Sequence, residues 1–275
     1  MDRKVPIITL LTDFGLQDEF VGVMKGAIAS ITTGAHVIDI SHNITRYNIM
    51  QAALMLYSAF KYFPKGSIHT VVVDPGVGGK RKIICLKSAG HYFIAPDNGV
   101  LGLIIKHEKV DEIYAVTNEE YFLSPVSATF HGRDIFAPVS AHLSKGIDIS
   151  CLGERLRLED LATLDLPVAT FSSDGKLTGQ IISIDYFGNL ITNIDRDVFD
   201  QLDPKEGAKD LVIHIANREI HGVSKSYDTV SIGAPVAIFG SKDLLEISLS
   251  QTDAHAYYKA GVGETVTVSF AWEKS

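Results

Sequence analysis

The sequence predicts an α/β fold: an N-terminal sheet domain with helices on its faces, followed by a smaller C-terminal all-β, barrel-like domain. Three observations carry this. In the first half, short β-type runs alternate with segments of helical period. Two of those runs stop at an aspartate beside a turn, Asp13-Phe14-Gly15 and Asp74-Pro75-Gly76. From about Lys176 onward the chain becomes a series of short apolar runs divided by glycines and polar turns. Strands alternating with helices build a largely parallel sheet; closely spaced strands without helices build an antiparallel barrel or sandwich.

Residues 7–12 form the first apolar run. Residues 18–31 follow with helical period, placing Phe20, Val21, Met24, Ala27, Ile28 and Ile31 on one side. Residues 36–40 read as a strand, and 49–63 as a helix stopped by Pro64 and Gly66. Residues 68–73 give a third strand. Ligands of such sheets bind beyond the carboxyl ends of the strands, where Asp13 and Asp74 fall. The segment 129–134 opens a helix that runs to Leu143, and 151–173 reads as a connector. Strands follow at 179–184, 190–194, 211–215, 234–239, 245–249 and 265–270, with a helix only at 196–202. The domains divide as 1–168, connector included, and 169–275.

Composition narrows the function. With 25 basic and 33 acidic side chains the net charge is −8. A general grip on nucleic acid needs clustered Lys and Arg and is not expected. A negative field suits a cationic small molecule. Cys85 and Cys151 lack CxxC spacing and read as two buried thiols in a reducing cytosol. The apolar run after Met1, Asp2, Arg3 and Lys4 is too short for a signal-peptide core, and no run is long enough to span a membrane. A cytoplasmic protein without a membrane partner is expected.

Four turns carry the candidate chemistry. The glycine-rich turn from Asp74 to Arg81 is not a Walker A loop, because Asp74 stands where the first glycine belongs and Arg81 where Ser or Thr belongs. It is not a dinucleotide fingerprint either, since Arg81 takes the third glycine position. What remains is a turn that starts with an acid and ends with a guanidinium: a surface ion pair or a functional one. At 129–134, His131 precedes a helix beside Gly132, which would let a ligand come close to the backbone. Arg133 and Asp134 read as helix-start charges. Between two later strands, Asn189 either caps its turn or reads an adenine edge. Ser241 and Lys242 offer a hydroxyl and a cation suited to a carboxylate.

Taken in order, these turns form a recognisable set. Thr12-Asp13-Phe14-Gly15, the turn from Asp74 to Arg81, Ala95-Pro96-Asp97-Asn98-Gly99, the segment 129–134, Phe187-Gly188-Asn189 with Thr192-Asn193, and Gly240-Ser241 follow one another along the chain. The sequence resembles the S-adenosylmethionine hydroxide adenosyltransferases, or S-adenosylmethionine hydrolases, relatives of fluorinase and chlorinase. The resemblance covers essentially the whole chain. It implies homotrimers whose sites lie between subunits, and a water-activating set that falls on Asp74, Arg81 and His131. It places the ribose hydroxyls on Asp13, adenine on Asn189, and the methionine end on Asp18, Asp185 and Ser241. Tyr47, Phe130, Phe187, Lys242 and Glu246 complete the expected substrate-binding set. Four positions depart from the halogenases: their strand-end tyrosine is Asp74, and their halide-binding serine is Gly132. Lys242 replaces their arginine, and Tyr47 replaces the tryptophan of their ribose wall.

The implied reaction is displacement at ribose C5′ by water, giving adenosine and methionine, with no cofactor and no metal. Either His131 or Asp74 could accept the proton. Two other readings stand beside it. One is a metal-dependent nucleoside or phosphate ester hydrolase using Asp13, Asp74, Asp97 and His131 as hard ligands. The other is an adenosine or S-adenosylmethionine sensor without turnover.

Overall fold

The computed structural model describes residues 5–203 and 208–272; residues 1–4 of the N-terminal reading lie outside the described residues. The chain divides into two compact units, Met1–Asp165 and Leu166–Ser275.

The first unit is a mixed six-stranded sheet with helices on both faces. Its strands are β1 (Ile7–Thr12), β2 (His36–Ser41), β3 (Ile68–Val72), β4 (Ile83–Ser88), β5 (His91–Pro96) and β6 (Val110–Ala115), in the order β2-β1-β3-β5-β4-β6. Strands β2, β1, β3 and β5 pair in parallel. Only β4 runs against its neighbours. Helices α1 (Phe20–Ile31), α2 (Ile49–Phe60), α3 (Gly102–His107) and α4 (Ala137–Ser144) cover the sheet. Alternation along the strands builds two cores. Ile8, Leu10, Ile68 and Val72 meet Met24, Ile28 and Phe136 on one face. Leu11, Val71 and Phe93 meet Leu56, Phe60 and Ile104 on the other. Thr12 of β1 pairs with Val72 of β3, so both strands end at one level and release Asp13 and Asp74 side by side in the fold.

The second unit is all-β apart from two short helices, α5 (Arg196–Phe199) and α6 (Ala254–Tyr258). Its strands are β7 (Thr170–Phe171), β8 (Leu177–Ile184), β9 (Leu190–Asp195), β10 (Ala208–Ile215), β11 (Arg218–His221), β12 (Pro235–Phe239), β13 (Leu244–Leu249) and β14 (Thr265–Trp272). They form one antiparallel sheet in the order β11-β10-β14-β8-β9-β13-β12, with β7 against β8. The chain just beyond β11 bridges to β12 through Ser224 and Ile238, which nearly closes the sheet into a barrel. Inside lie Leu177, Ile181, Leu190, Ile213, Ile247 and Val266.

One expectation is corrected. Cys85 is buried, but Cys151 is exposed. Cys151 sits in the turn Ile149–Leu152, whose buried residues are Ile149 and Leu152, and that spacing turns the thiol outward. Asp134 stands in the first helical turn, as expected, and is buried there. It is 1% exposed, bound by Arg133, and accepts the Ser127 N–H at 2.8 Å. Burial opposes its charge, but these partners hold its carboxyl below the usual range. Among the described residues no helix is long and apolar enough to cross a membrane.

A buried polar chain ties β1, β3 and β5 together away from the two aspartates. Thr9 Oγ1 lies 2.8 Å from His69 Nδ1, and His69 Nε2 lies 3.3 Å from His91 Nδ1. Phe93 stacks on His69, with Phe60 and Phe63 edge-on. Burial, then the neighbouring His91, pushes His69 down to about 3. The unfolded chain therefore binds a proton near pH 6.5 that the folded chain refuses until about pH 3. His69 contributes fully to stability above pH 6.5, and the contribution is lost as pH falls from there towards 3. The expected slope approaches about 1.4 kcal/mol per pH unit inside that window. Urea midpoints at pH 7 and pH 4.5 should differ less in a His69→Asn variant than in the parent protein. An equal fall in both would remove His69 from the account.

Candidate active site

At the carboxyl ends of β1 and β3 lies a pocket of about 280 Å³. Asp13, Asp18, Tyr47, Asp74, Phe130, His131 and Gly132 line it, so the first-unit residues singled out from sequence converge there, except Arg81 and Asp97. Arg81 reaches the same place from behind, through Asp74 and His131. Its Nε and Nη2 donate to Asp74 Oδ2 at 2.9 and 2.6 Å. Its Nη2 also lies 2.8 Å from His131 Nδ1. The Asp74 and Arg81 side chains are only 4% and 12% exposed, so this is not a solvated surface pair.

The local sequence explains the convergence. Asp74 Oδ1 accepts the Gly76 N–H at 3.2 Å, which starts the turn. Gly78 takes a left-handed φ of 73° and packs against the Ala128 carbonyl, joining the turn to the segment that carries His131. The Ala95–Gly99 motif acts one step back: Asn98, just after β5, donates its amide to Val73 O at 2.9 Å, immediately before Asp74. Asp97 is directed elsewhere, accepting the Ala162 N–H at 2.8 Å, and does not line the pocket. Among the described residues no three His, Cys, Asp or Glu side chains gather as a metal-holding group.

The protonation pattern at His131 follows from its partner. A guanidinium has donors only, so Nδ1 must be the acceptor and the neutral ring carries its proton on Nε2. Burial first, and the Arg81 charge second, hold His131 below the usual imidazole range. The ring is therefore a neutral Nε2–H donor. Asp74 keeps the more open acceptor, since Oδ2 takes both Arg81 bonds and Oδ1 takes one long backbone bond.

The wall beside these groups is aromatic. Phe14 and Phe20 each pack edge to face with Phe130 and tilted against one another, with centroids 5.1–6.0 Å apart. Gly132 fits beneath them closely. A Cβ there would lie 3.1 Å from the Phe130 ring and 3.2 Å from Met24 Sδ. Asp13 Oδ2 accepts the Tyr47 N–H at 2.9 Å, and Tyr47 adopts a φ of 65° to deliver it. Phe14, Phe20, Arg46 and Val77 also line the pocket and were not singled out from sequence. Phe14 and Phe20 had been visible only as a turn residue and as a member of an apolar helix face.

The second unit has its own pocket, of about 850 Å³. Asp185, Phe187, Asn189, Ser241, Lys242 and Glu246 line it, every second-unit residue expected from sequence. The Asn189 amide donates to Asp185 Oδ2 at 2.8 Å, and Asp185 Oδ1 accepts the backbone N–H of both Phe187 and Asn189 at 2.9 Å. Asp185, rather than Asn189, thus caps the turn. Glu246 is 6% exposed and lies directly under Gly240. Burial, with the Asp185 charge nearby, raises its carboxyl above the usual range, while Tyr227 donates to Oε2 at 2.9 Å. Burial and then Glu246 push Tyr227 up to about 12. Tyr227 has no motif around it, and sequence reasoning missed it.

Known proteins share this arrangement of sequence. Models described as the SAM hydroxide adenosyltransferase N-terminal and C-terminal domains match residues 8–153 and 179–267. A protein of Thermus thermophilus named (R)-S-adenosyl-L-methionine hydrolase is 33% identical, over 90% of this chain and 93% of its own. A fluorinase of Actinoplanes sp. is 27% identical, over 97% of this chain and 98% of its own. The crystal structure of an uncharacterized conserved protein from Thermotoga maritima superposes with a TM-score of 0.86 at 36% identity, covering 95% of this chain and 99% of that one. With both family domains matched in order across most of its length, the chain belongs to the SAM hydroxide adenosyltransferase family.

Proposed function

We propose that this protein hydrolyses S-adenosyl-L-methionine to adenosine and L-methionine, and that Asp74, Arg81 and His131 handle the attacking water. The observation that carries this is the hydrogen-bonded set itself: an acceptor and a neutral donor lining one aromatic-walled pocket, both bound to a fixed cation. Full-length similarity to proteins named hydrolases supports the substrate.

Water enters on one side of C5′ and the sulfonium sulfur leaves from the other, taking the C–S electron pair to become methionine. The sulfonium needs no proton to leave. The nucleophile is the difficulty, since water has a pKa of about 15.7. The forming C–O bond turns the attacking water into an alkyl-oxonium, a strong acid, so even an arginine-bound carboxylate can take the proton. Asp74 Oδ1 is the acceptor, and His131 Nε2–H orients the water. Arg81 holds both in place. Water held in line at C5′ gains the advantage of proximity. Three carboxylates line the pocket, Asp13, Asp18 and Asp74, and they favour a cationic substrate and repel a halide nucleophile.

The remaining roles belong to the same proposal. Asp13 binds the ribose hydroxyls between the walls of Tyr47 and Phe130, and Asp18 faces the methionine end. In the second unit Asn189 reads adenine beside Phe187, and Asp185, Ser241, Lys242 and Glu246 hold the amino-acid end. The substrate is bound by the first unit of one subunit and the second unit of the next, in a cytoplasmic homotrimer. Family resemblance supports this last point.

The test is the reaction in ¹⁸O water. Label at the 5′-hydroxyl of adenosine, with unchanged activity in a chelator, is the expected result. Adenine plus a ribose fragment would refute in-line attack, loss of activity in the chelator would favour the metal-dependent reading, and binding without products would make the protein a sensor.

A further inference from the structure

One buried histidine is used by none of the steps above. His42 follows β2 and is 4% exposed. It touches the Asp13 turn in two ways. Its backbone carbonyl accepts the Gly15 N–H at 2.8 Å. Its Nδ1 lies 2.9 Å from Thr12 Oγ1, and that same oxygen accepts the Phe14 N–H at 3.3 Å. Nε2 faces the acceptor-only carboxylate of Asp39, which favours the imidazole proton on Nε2 and leaves Nδ1 to accept the Thr12 hydroxyl proton. Nε2 lies 3.0 Å from Asp39 Oδ1, at ion-pair distance but off the line of a straight hydrogen bond. Asp39 in turn accepts from Lys25 of α1 at 2.6 Å.

The segment that carries Asp13 is thereby pinned at residue 12 before it and at residues 14 and 15 after it, each time through His42 or its hydroxyl partner. His42 also begins the loop that brings the Tyr47 N–H to Asp13 Oδ2. A fully buried threonine hydroxyl cannot reach substrate, which excludes the Asp39, His42, Thr12 series as a nucleophilic triad.

We propose that His42 is a positioning residue that sets the orientation of Asp13 through the Thr12 hydroxyl. The inference rests on the reading of Asp13 as the ribose-binding carboxylate. The contact to Thr12, made by Nδ1, is the arm that matters; the Asp39 arm holds the ring.

The two arms can be separated in the full-length protein. Asparagine places an amide near the position of Nδ1, and glutamine near that of Nε2. Steady-state kinetics with S-adenosylmethionine should show His42→Gln and His42→Phe raising KM by about ten- to hundredfold, with a smaller fall in kcat, while His42→Asn stays near the parent. Asp13→Ala should show the same KM-dominated pattern, and adding His42→Gln to it should cost little more. An unchanged KM in folded His42→Gln, beside a raised KM in Asp13→Ala, would overturn the positioning role alone. So would fully additive losses. An unchanged KM in Asp13→Ala would remove the ribose assignment and this proposal with it. Should His42→Phe fail to fold, the Asn and Gln pair decides the matter.

Discussion

Replacing Asp74, Arg81 or His131 by alanine should lower turnover by about a hundred- to ten-thousand-fold while adenosine affinity changes little. Each group acts on the attacking water or on charge that develops in the transition state, so little ground-state binding is lost. The three are joined by bonds of 2.6–2.9 Å, which makes them a unit. Removing Arg81 frees both partners, so Asp74→Ala/Arg81→Ala should be scarcely slower than Arg81→Ala. Rapid-quench turnover and calorimetry with adenosine measure the two halves of the statement. His131→Gln refines it. Glutamine can place an N–H near the position of Nε2, so it should keep more activity than His131→Ala. If His131 were the base instead, glutamine would do no better than alanine. Additive double variants would show independent roles.

Gly78→Ala should be nearly as harmful although it touches no proposed substrate contact. Its φ of 73° is strained for alanine, and a Cβ would run into the Ala128 carbonyl, which is backbone and cannot swing aside. The turn must lift off the segment that carries His131, and the Arg81 to His131 bond joins the same two segments. A displacement of about 1 Å is expected to reduce kcat by about a hundredfold. Thermal unfolding should report about 1–3 kcal/mol of lost stability, the cost of a strained backbone residue. Full activity in Gly78→Ala would mean that the turn adjusts without moving Arg81. Gly66 serves as a control, because it too has a positive φ, of 90°, but no atom lies within 4 Å of its would-be Cβ. Gly66→Ala should cost stability and leave kcat alone.

The first unit's early strands and six of the second unit's eight strands were legible, because apolar periodicity and bounding turns are local signals; the short β7 and β11 were not read. The segment carrying β4 to β6 was not read. β5 enters the sheet beside β3 and β4 pairs back against it, a long-range choice that local pattern does not encode. Asp74, Arg81 and His131 could be named because each sits in a short, unusual turn. That Arg81 bridges the other two across 50 residues is a tertiary fact. Asp134 could be read as a helix-start charge, and it stands in that first turn, but its burial is set by the fold and has no local signal. Tyr227 and His42 carried no motif at all. Their importance lies in what they touch, Glu246 in one case and Thr12 in the other.

The crowding around Gly132 bears on how a family containing both hydrolases and fluorinases can diversify. Resemblance places the halogenases' halide-binding serine at this position. A side chain introduced here first meets the Phe130 ring and Met24 Sδ at 3.1 and 3.2 Å, so both must give way by a few tenths of an ångström. A smaller residue at position 24 removes one of these obstacles beforehand. The two substitutions are therefore coupled: a side chain at position 132 should cost less once position 24 is smaller than it does beside Met24.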